Sequence, residues 1–454
     1  MATSDRCSAC RDSGSNRPAH DHRPSGGNVD QDLALAGGQP VVDFAWPVWP
    51  KPRDQARELV NETLDSGRWT LSGPWAGRRS QEQTFAAEFA QYNGVDHCVP
   101  VASGTSALVV GLESLGVGAG DEVLVPGLTW IASATAVLNV NAVPVLVDID
   151  PATLCVSPDA LEAAITPRTR AITVVHLYNS MADMDRILDI ARRYDLPVLE
   201  DCAQAHGARW DGKRAGTMGV LGTFSMQETK LLTAGEGGAV ITDDAELADR
   251  LFQLRADGRR LAPVTPALNE MELVENSSIM GNNYCLSELS AAVLLDQLAF
   301  LDADNDVRAA RATALNAALA PIPGVSPVLP AGKVTGPTYY HYAVRCDRTE
   351  FANRPLATIA RALQAELRYP VDLAYAPLND NVLYRPHTKR RYHLSDEHLR
   401  RIDPVQHKLP EAHRAYGEIL TLHHPFLLAD DTQVTAVAAA FDKVRRSANR
   451  LPEK

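Results

Sequence analysis

Long apolar runs are absent from this chain, and that absence limits where the protein can reside. A transmembrane helix needs about 18 consecutive apolar residues, and the sequence has no such run, so we expect no membrane span. The opening stretch MATSDRCSACRDSGSNRPAHDHRPSGGN also lacks the apolar centre of a signal peptide. The 7 cysteines are few and scattered, as is typical of proteins in reducing compartments. The sequence therefore predicts a soluble, cytoplasmic protein.

Basic residues are outnumbered, which argues against one large class of partners. The chain has 44 Lys and Arg against 56 Asp and Glu, a formal net charge of −12. A general nucleic-acid binder gains affinity by neutralising phosphates, so we expect no nucleic-acid partner. At 454 residues the chain is longer than a single hydrophobic core usually supports, and two or more domains are expected.

The first residues have almost no large apolar side chains. Residues 1–38 are rich in Ser, Gly, Asp, Arg and His, and such a segment buries too little surface to offset its ordering entropy. We therefore predict a disordered N-terminal tail. The tail contains Cys7-x-x-Cys10 followed by His20 and His22, but this histidine spacing is unlike that of a usual zinc site, and we favour a tail without metal.

Helical and strand patterns alternate through the first two thirds of the chain. Helical periodicity occurs at 106–117, 157–165 and 183–194, and short apolar strands occur at 121–127, 143–150, 169–178 and 196–203. Strands that are apolar on both faces and alternate with helices predict parallel βαβ units, hence an α/β fold. Past residue 305 the chain becomes richer in proline. We predict a large domain at 39–305 and a smaller α+β domain at 306–454.

Two nucleotide-binding motifs are missing, although a phosphate site is still possible. The chain has no Walker G-K-[ST] motif and no G-x-G-x-x-G fingerprint at its strand ends, so a dinucleotide is not expected. Gly104, Thr105 and Ser106 begin a predicted helix, where backbone N–H groups and hydroxyls suit a phosphate. An ordinary N-cap explains the same residues, and both interpretations stay open.

A carboxylate and an amine further along the chain are also candidate site residues. Asp201 ends a predicted strand, where a buried carboxylate needs a cationic partner, although it could instead cap the next segment. Lys230 precedes Gly235, Gly237 and Gly238, which allow a close backbone approach to a ligand or form a plain turn. A surface lysine is the ordinary alternative. A buried amine, by contrast, is the nucleophile that forms Schiff bases with carbonyls.

These separate features together match one cofactor. Pyridoxal 5′-phosphate (PLP) has a phosphate for a helix N-terminus, a ring nitrogen for a carboxylate and an aldehyde for an amine. The sequence therefore favours a PLP enzyme, and no metal is expected.

Seven ordered segments carry a resemblance to a known family. From about residue 38 to the end, the chain resembles the DegT/DnrJ/StrS-type sugar aminotransferases, which are PLP-dependent transferases of fold type I. The segments are ASGTSAL, PGLTWIASA, VPVLVDID, HLYNSMADMD, LEDCAQAHGA, FSMQETKLLTAGEGGAV and GNNYCLSE. The resemblance implies a large domain with a mostly parallel sheet flanked by helices and a smaller C-terminal α+β domain.

The resemblance assigns roles around the cofactor ring. It implies that Lys230 forms the Schiff base with PLP and moves the proton during catalysis, and that Asp201 pairs with the pyridine nitrogen. Gln204 would lie near the ring hydroxyl, and Trp130 would stack on the ring face.

The resemblance also assigns the phosphate site. It implies that Gly104, Thr105 and Ser225 hold the phosphate, and that Asn283 reaches it from a neighbouring subunit. A homodimer with shared active sites follows. Two positions depart from the family pattern: Cys285 stands where an arginine is common, and Asn179 where a glycine is usual. We expect both to affect substrate or carboxylate contacts.

One branch of the family fits best. The segments SMQETKLLTAGEGGAV, SGRWTLSG and TLHHPFLL resemble those of glutamine-dependent aminotransferases acting on scyllo-inosose and 2-deoxy-scyllo-inosose. The expected activity is amino transfer from L-glutamine to a keto-cyclitol or keto-sugar in aminocyclitol antibiotic biosynthesis. The alternatives are a 3-amino-5-hydroxybenzoate synthase-type enzyme and a nucleotide-sugar aminotransferase. The segment 377–395 could bind a polyol or a phosphorylated substrate, or form a solvated loop.

Overall fold

The computed structural model describes residues 32–275, 278–389 and 394–453. Most of the predicted disordered tail, with Cys7, Cys10, His20 and His22, lies outside the described residues. Within 32–38 the structure has a short 3-10 helix at Ala34–Ala36, and Leu33 is buried. In the described part of the chain, no helix has the length and apolar character needed to cross a bilayer.

The described strands form four sheets. In chain order they are β1 (His97–Val101), β2 (Glu122–Pro126), β3 (Val143–Val147), β4 (Thr169–Val175), β5 (Val198–Asp201), β6 (Arg209–Trp210), β7 (Lys213–Arg214), β8 (Leu221–Ser225), β9 (Gly238–Thr242), β10 (Arg260–Leu261), β11 (Leu273–Val274), β12 (Val325–Pro327), β13 (Val334–Gly336), β14 (His341–Cys346), β15 (Asp372–Leu373) and β16 (Ile419–His423).

The described α-helices cover the sheets and connect them. In chain order they are α1 (Asp54–Asp65), α2 (Gln81–Asn93), α3 (Gly104–Ser114), α4 (Ala132–Asn139), α5 (Pro158–Ala163), α6 (Met184–Tyr194), α7 (Ala245–Arg255), α8 (Glu288–Leu298), α9 (Leu301–Leu319), α10 (Leu356–Leu367), α11 (Asp396–Arg401), α12 (Pro410–Glu418) and α13 (Asp431–Arg446).

The main sheet has seven strands in the order β1-β9-β8-β5-β4-β2-β3. Its strands are parallel except β9, which is antiparallel to both of its neighbours. The predicted α/β fold with a mostly parallel sheet is confirmed. Every residue of β2 is buried, as expected for a strand that helices cover on both faces. Parallel strands end at the same edge, so β2, β5 and β8 bring their following residues together.

A second sheet lies in the C-terminal part of the chain. It is antiparallel, in the order β12-β14-β16-β15, and residues of α9, α10 and α13 share a hydrophobic core with it. Leu33 and Val42, which precede the main sheet in sequence, also belong to this core. Helix α9 runs through the predicted domain boundary at 305/306, and the division into 39–305 and 306–454 stays a prediction.

Candidate active site

A cavity of about 400 Å³ opens at the carboxyl edge of the main sheet. Of the eight residues to which the resemblance assigned roles, seven line it: Gly104, Thr105, Trp130, Asp201, Gln204, Ser225 and Lys230. Asn283 is the exception. It is exposed, forms an isolated bridge with Ala256 and accepts a hydrogen bond from the backbone N–H of Cys285 at 3.3 Å. Ser106, the further candidate at the helix start, does not line the cavity, and its hydroxyl lies 2.8 Å from that of Ser103.

The start of α3 forms one wall of the cavity. Ser103 caps this helix, because its hydroxyl accepts from the backbone N–H of Ser106 at 3.0 Å. Gly104 and Thr105 follow as the first helical residues, and the first N–H groups of a helix have no acceptor within it. An added Cβ at Gly104 would lie 2.5 Å from Cβ of Ser225, at the end of β8. The glycine therefore brings Ser225 next to a helix N-terminus, an arrangement that suits an anion.

Asp201 ends β5 as a buried carboxylate, 6% exposed. Its Oδ2 accepts from the Ser133 hydroxyl at 2.8 Å, and its Oδ1 accepts from the Ala203 N–H at 3.2 Å. Burial raises the pKa of Asp201, and these two donors and Lys230 oppose the rise. A cation brought into the cavity would favour the ionised carboxylate further.

Gln204 is fixed by two tyrosines. Its Oε1 accepts from the Tyr178 N–H at 2.8 Å, and its Nε2 donates to the Tyr375 hydroxyl at 3.3 Å. Tyr375 lies just after β15, and its backbone N–H donates to the Tyr178 hydroxyl at 2.9 Å. The ring of Tyr375 is 6.0 Å from that of Trp130, which also lines the cavity and is 49% exposed. The rings of Trp130 and Tyr375 thus line the same cavity as the Asp201 carboxylate and the Gln204 amide.

Lys230 lies in the turn between β8 and β9, where it is half-buried. Its Nζ is 4.1 Å from the ring centroid of Tyr340, whose hydroxyl is 2.8 Å from Oγ1 of Thr229. The turn returns to β9 through Gly235 (φ 84°) and Gly237 (φ 153°), a backbone region that favours glycine. The amine therefore projects from a tightly folded loop rather than from a strand.

The two departures from the family pattern lie away from the cavity lining. Asn179 is buried, and its Nδ2 donates to the backbone carbonyl of Val328 at 2.7 Å. The Cys285 thiol donates to the backbone carbonyl of Arg255 at 3.4 Å. In this chain both side chains make structural contacts to the backbone, and their expected influence on substrate contacts stays a prediction.

Several cavity residues went unpredicted: Thr129, Ser133, Thr229, Tyr340 and Tyr375. Ser133 falls inside a segment that resembles the family, but no local pattern marks its contact with Asp201. Tyr340 and Tyr375 come from the C-terminal part of the chain, more than 100 residues beyond Lys230 in the numbering. Only the folded arrangement brings these groups together.

Amino-group transfer is the chemistry that this fold and cavity define. Comparison with known proteins agrees: the sequence profile of the DegT/DnrJ/EryC1/StrS aminotransferase family matches residues 50–441. The protein is an aminotransferase. The chain belongs to the DegT/DnrJ/EryC1/StrS family, and the resemblance seen in the sequence is confirmed.

Close relatives cover almost the whole chain. An L-glutamine:2-deoxy-scyllo-inosose aminotransferase from Streptoalloteichus tenebrarius is 51% identical over 92% of this chain and 99% of its own length. An L-glutamine:scyllo-inosose aminotransferase from Streptomyces griseus is 50% identical over 92% of this chain and 98% of its own. A 3-amino-5-hydroxybenzoic acid synthase of known structure is 33% identical, with a TM-score of 0.76 over 89% of this chain and 99% of that chain. DesI, solved in the presence of its TDP-sugar product, is 27% identical, with a TM-score of 0.73 over 93% of this chain and 97% of that chain.

Proposed function

We propose that this aminotransferase uses PLP to move the α-amino group of L-glutamine to the ring ketone of a cyclitol, such as scyllo-inosose or 2-deoxy-scyllo-inosose. The observation that carries the proposal is one cavity in which the Lys230 amine, the Asp201 carboxylate and the N-terminus of α3 meet. Relatives about 50% identical, whose names specify glutamine and these ketones, support the choice of substrates.

The residues present fit PLP. Gly104 lets the start of α3 pack against Ser225 more closely than any side chain would allow. Both residues line the cavity, and the part of the wall that they form, here called the phosphate recess, suits the cofactor phosphate. Asp201 is buried and ends its strand in the same cavity, so it would hold the proton on the pyridine nitrogen. Trp130 and Gln204 would contact the ring face and the ring hydroxyl. When bound, PLP supplies an aldehyde that engages amines and a ring that accepts electrons from the substrate carbon.

The protein groups then have separable tasks. Lys230 holds the cofactor between turnovers and moves the proton at the substrate carbon next to the nitrogen. Asp201 would keep its negative charge beside a protonated ring nitrogen, although burial alone raises its pKa. Tyr340 lies against the Lys230 ammonium at 4.1 Å and limits the directions in which that amine can point.

We also propose a homodimer in which active sites are shared. Asn283 is exposed and outside its own cavity, as a residue acting on a neighbouring site must be. The stretch before it exposes Val264, Leu268 and Met280, and exposed apolar side chains are common at subunit interfaces. A cytoplasmic location and a role in aminocyclitol antibiotic biosynthesis complete the proposal.

Isotope transfer tests the donor and the acceptor together. The protein is incubated with L-glutamine labelled at its α-amino nitrogen and, separately, with scyllo-inosose, 2-deoxy-scyllo-inosose or a nucleotide keto-sugar. Mass spectrometry of the products should find the label on an aminocyclitol. If the label appeared only on a nucleotide amino-sugar, the acceptor would be a nucleotide keto-sugar and not a cyclitol ketone. If none of the three acceptors gained the label, the proposed acceptor would be contradicted.

A further inference from the structure

The backbone around Lys230 belongs to neither a strand nor a helix, and it is held by backbone hydrogen bonds within the loop and by side chains. Both N–H groups of the Thr229–Lys230 pair bond to Gln227: that of Thr229 donates to its Oε1 at 2.9 Å, and that of Lys230 to its carbonyl at 2.8 Å. Sheet pairing in β8 ends at Ser225, and beyond it the N–H of Met226 donates to the Gly237 carbonyl and that of Glu228 to the Gly235 carbonyl, both at 2.8 Å, which joins the two arms of the loop. Among the residues that the structure describes, no backbone N–H donates to the carbonyls of Thr229 and Lys230. The direction of the Lys230 amine therefore depends on the side chains that bind these two carbonyls, in addition to the Tyr340 ring.

Three side chains donate to these carbonyls. The imidazoles of His423 and His424 donate from Nε2 to the Thr229 carbonyl at 2.8 and 3.2 Å. The indole Nε1 of Trp49 donates to the Lys230 carbonyl at 3.1 Å. We propose that Trp49, His423 and His424, here called the carbonyl clamp, are positioning residues that set the direction of the Lys230 amine; this inference rests on the proposed role of Lys230.

The hydrogen bonds of the clamp determine where the two imidazoles carry hydrogen. A carbonyl oxygen only accepts, so both imidazoles must carry hydrogen on Nε2. His424 Nδ1 accepts from the Arg308 Nε at 3.2 Å and therefore has no hydrogen, which makes His424 a neutral imidazole. Burial also lowers the pKa of His423 to about 4 and that of His424 well below its usual value. Both histidines therefore stay in the neutral donor form around neutral pH.

The clamp connects Lys230 to distant parts of the chain. His423 ends β16 of the second sheet, His424 follows it, and Trp49 belongs to the segment before α1. The Trp49 ring packs edge-on against the His424 ring at 4.8 Å, so the donors support one another. Small displacements of a reacting group are costly in catalysis. A lysine whose own carbonyl and that of the preceding residue are bound by three donors is placed more accurately than one held by a turn alone.

A pair of tryptophans gives a matched test. Trp49→Phe removes the N–H that binds the Lys230 carbonyl. Trp46→Phe removes a similar N–H that donates to the Leu367 carbonyl at 2.7 Å, in α10. Each variant is freed of cofactor, and the rate at which added PLP restores the visible absorption band is measured with the melting temperature. We expect Trp49→Phe to be about fivefold slower, the equivalent of one hydrogen bond, and Trp46→Phe to match wild type.

A conservative replacement separates positioning from packing. In His423→Gln the side-chain amide offers an N–H near the place of Nε2, whereas His423→Leu offers none. We expect the glutamine variant to keep most of the rate and the pH dependence of the absorption band, and the leucine variant to lose rate and change that pH dependence. Equal behaviour of Trp49→Phe and Trp46→Phe, or of the two His423 variants, would overturn the clamp. Absence of any band in the wild-type protein would instead overturn the proposed function, and the clamp with it.

Discussion

Gly104 and Ser225 approach each other so closely that a β-carbon on Gly104 would lie 2.5 Å from Cβ and 3.0 Å from Cα of Ser225. Part of that conflict is with backbone, which cannot move aside as a flexible side chain can. The contact joins the start of α3 to the end of β8 and shapes the recess proposed for the cofactor phosphate.

Gly104→Ala should therefore weaken cofactor binding and destabilise the protein. We expect the PLP dissociation constant to rise about tenfold or more, as misplaced hydrogen-bond partners are lost, and the melting temperature to fall. Fluorescence titration with PLP and thermal melting measure the two effects. Gly118→Ala is the control, because its Cβ would meet nothing within 4 Å. Equal affinities in the two variants would refute the proposed phosphate recess.

Asp201→Asn should separate catalysis from folding. The amide keeps an acceptor for Ser133 or Ala203 but loses the negative charge that would keep the pyridine nitrogen of PLP protonated. We therefore expect turnover to fall at least about a hundredfold. Asp148→Asn is the matched control. Asp148 follows β3 and accepts from the N–H groups of Glu411 and Ala412 at the start of α12. The Asp148→Asn variant should lose about 1 kcal/mol of unfolding free energy and keep its turnover. Near wild-type turnover in Asp201→Asn would remove the ring-nitrogen role.

The pH dependence of stability should reflect a buried histidine. Burial, followed by the charge of Lys230, lowers the pKa of His206 from 6.5 to about 3. As the pH falls, His206 is protonated in the unfolded chain before it is protonated in the folded chain. The contribution of His206 to the free energy of unfolding is therefore fully present above pH 6.5 and is lost as the pH falls from 6.5 toward 3. This histidine should contribute up to about 1.4 kcal/mol per pH unit.

Unfolding in denaturant at several pH values measures that slope. His206→Leu should show a shallower loss of unfolding free energy toward acid than wild type. His413→Leu, which replaces an exposed histidine, serves as the comparison. Identical slopes for wild type and His206→Leu would show that His206 does not take up the proton.

Hybrid dimers test whether sites are shared. Lys230→Ala and Asn283→Ala should each be inactive or nearly so if the proposal is right. After the two variants are mixed and subunits exchange, activity should recover to about a quarter of wild type, because half of the dimers are hybrids with one intact site. Size measurement on the mixture confirms the dimer. No recovery despite proven exchange would place Asn283 outside a shared site.

The sequence predicted the parts of the site that follow from strand order. Asp201, Ser225 and the start of α3 are at the ends of regular elements, and parallel strands bring such ends together. Tyr340, Tyr375 and His423 could not be predicted in this way. Tyr340 immediately precedes β14, Tyr375 follows β15 and His423 ends β16, so all three come from the second sheet and its flanking residues. The packing of two hydrophobic cores against each other has no periodic signal in sequence. Trp49 was missed because a tryptophan in the irregular segment before α1 gives no sign in the sequence of its contact with Lys230.

The central claim is that the Lys230 amine holds a PLP cofactor that accepts an amino group from L-glutamine and gives it to a cyclitol ketone. The most direct measurement is the visible absorption spectrum of the PLP-loaded protein, recorded before L-glutamine, after it, and after scyllo-inosose or 2-deoxy-scyllo-inosose. We predict a yellow band that glutamine bleaches and the ketone restores, present in Lys408→Ala, which changes an exposed lysine, and absent in Lys230→Ala. A Lys230→Ala protein with the same band and the same bleaching, or a wild-type band that glutamine leaves unchanged, would contradict the account.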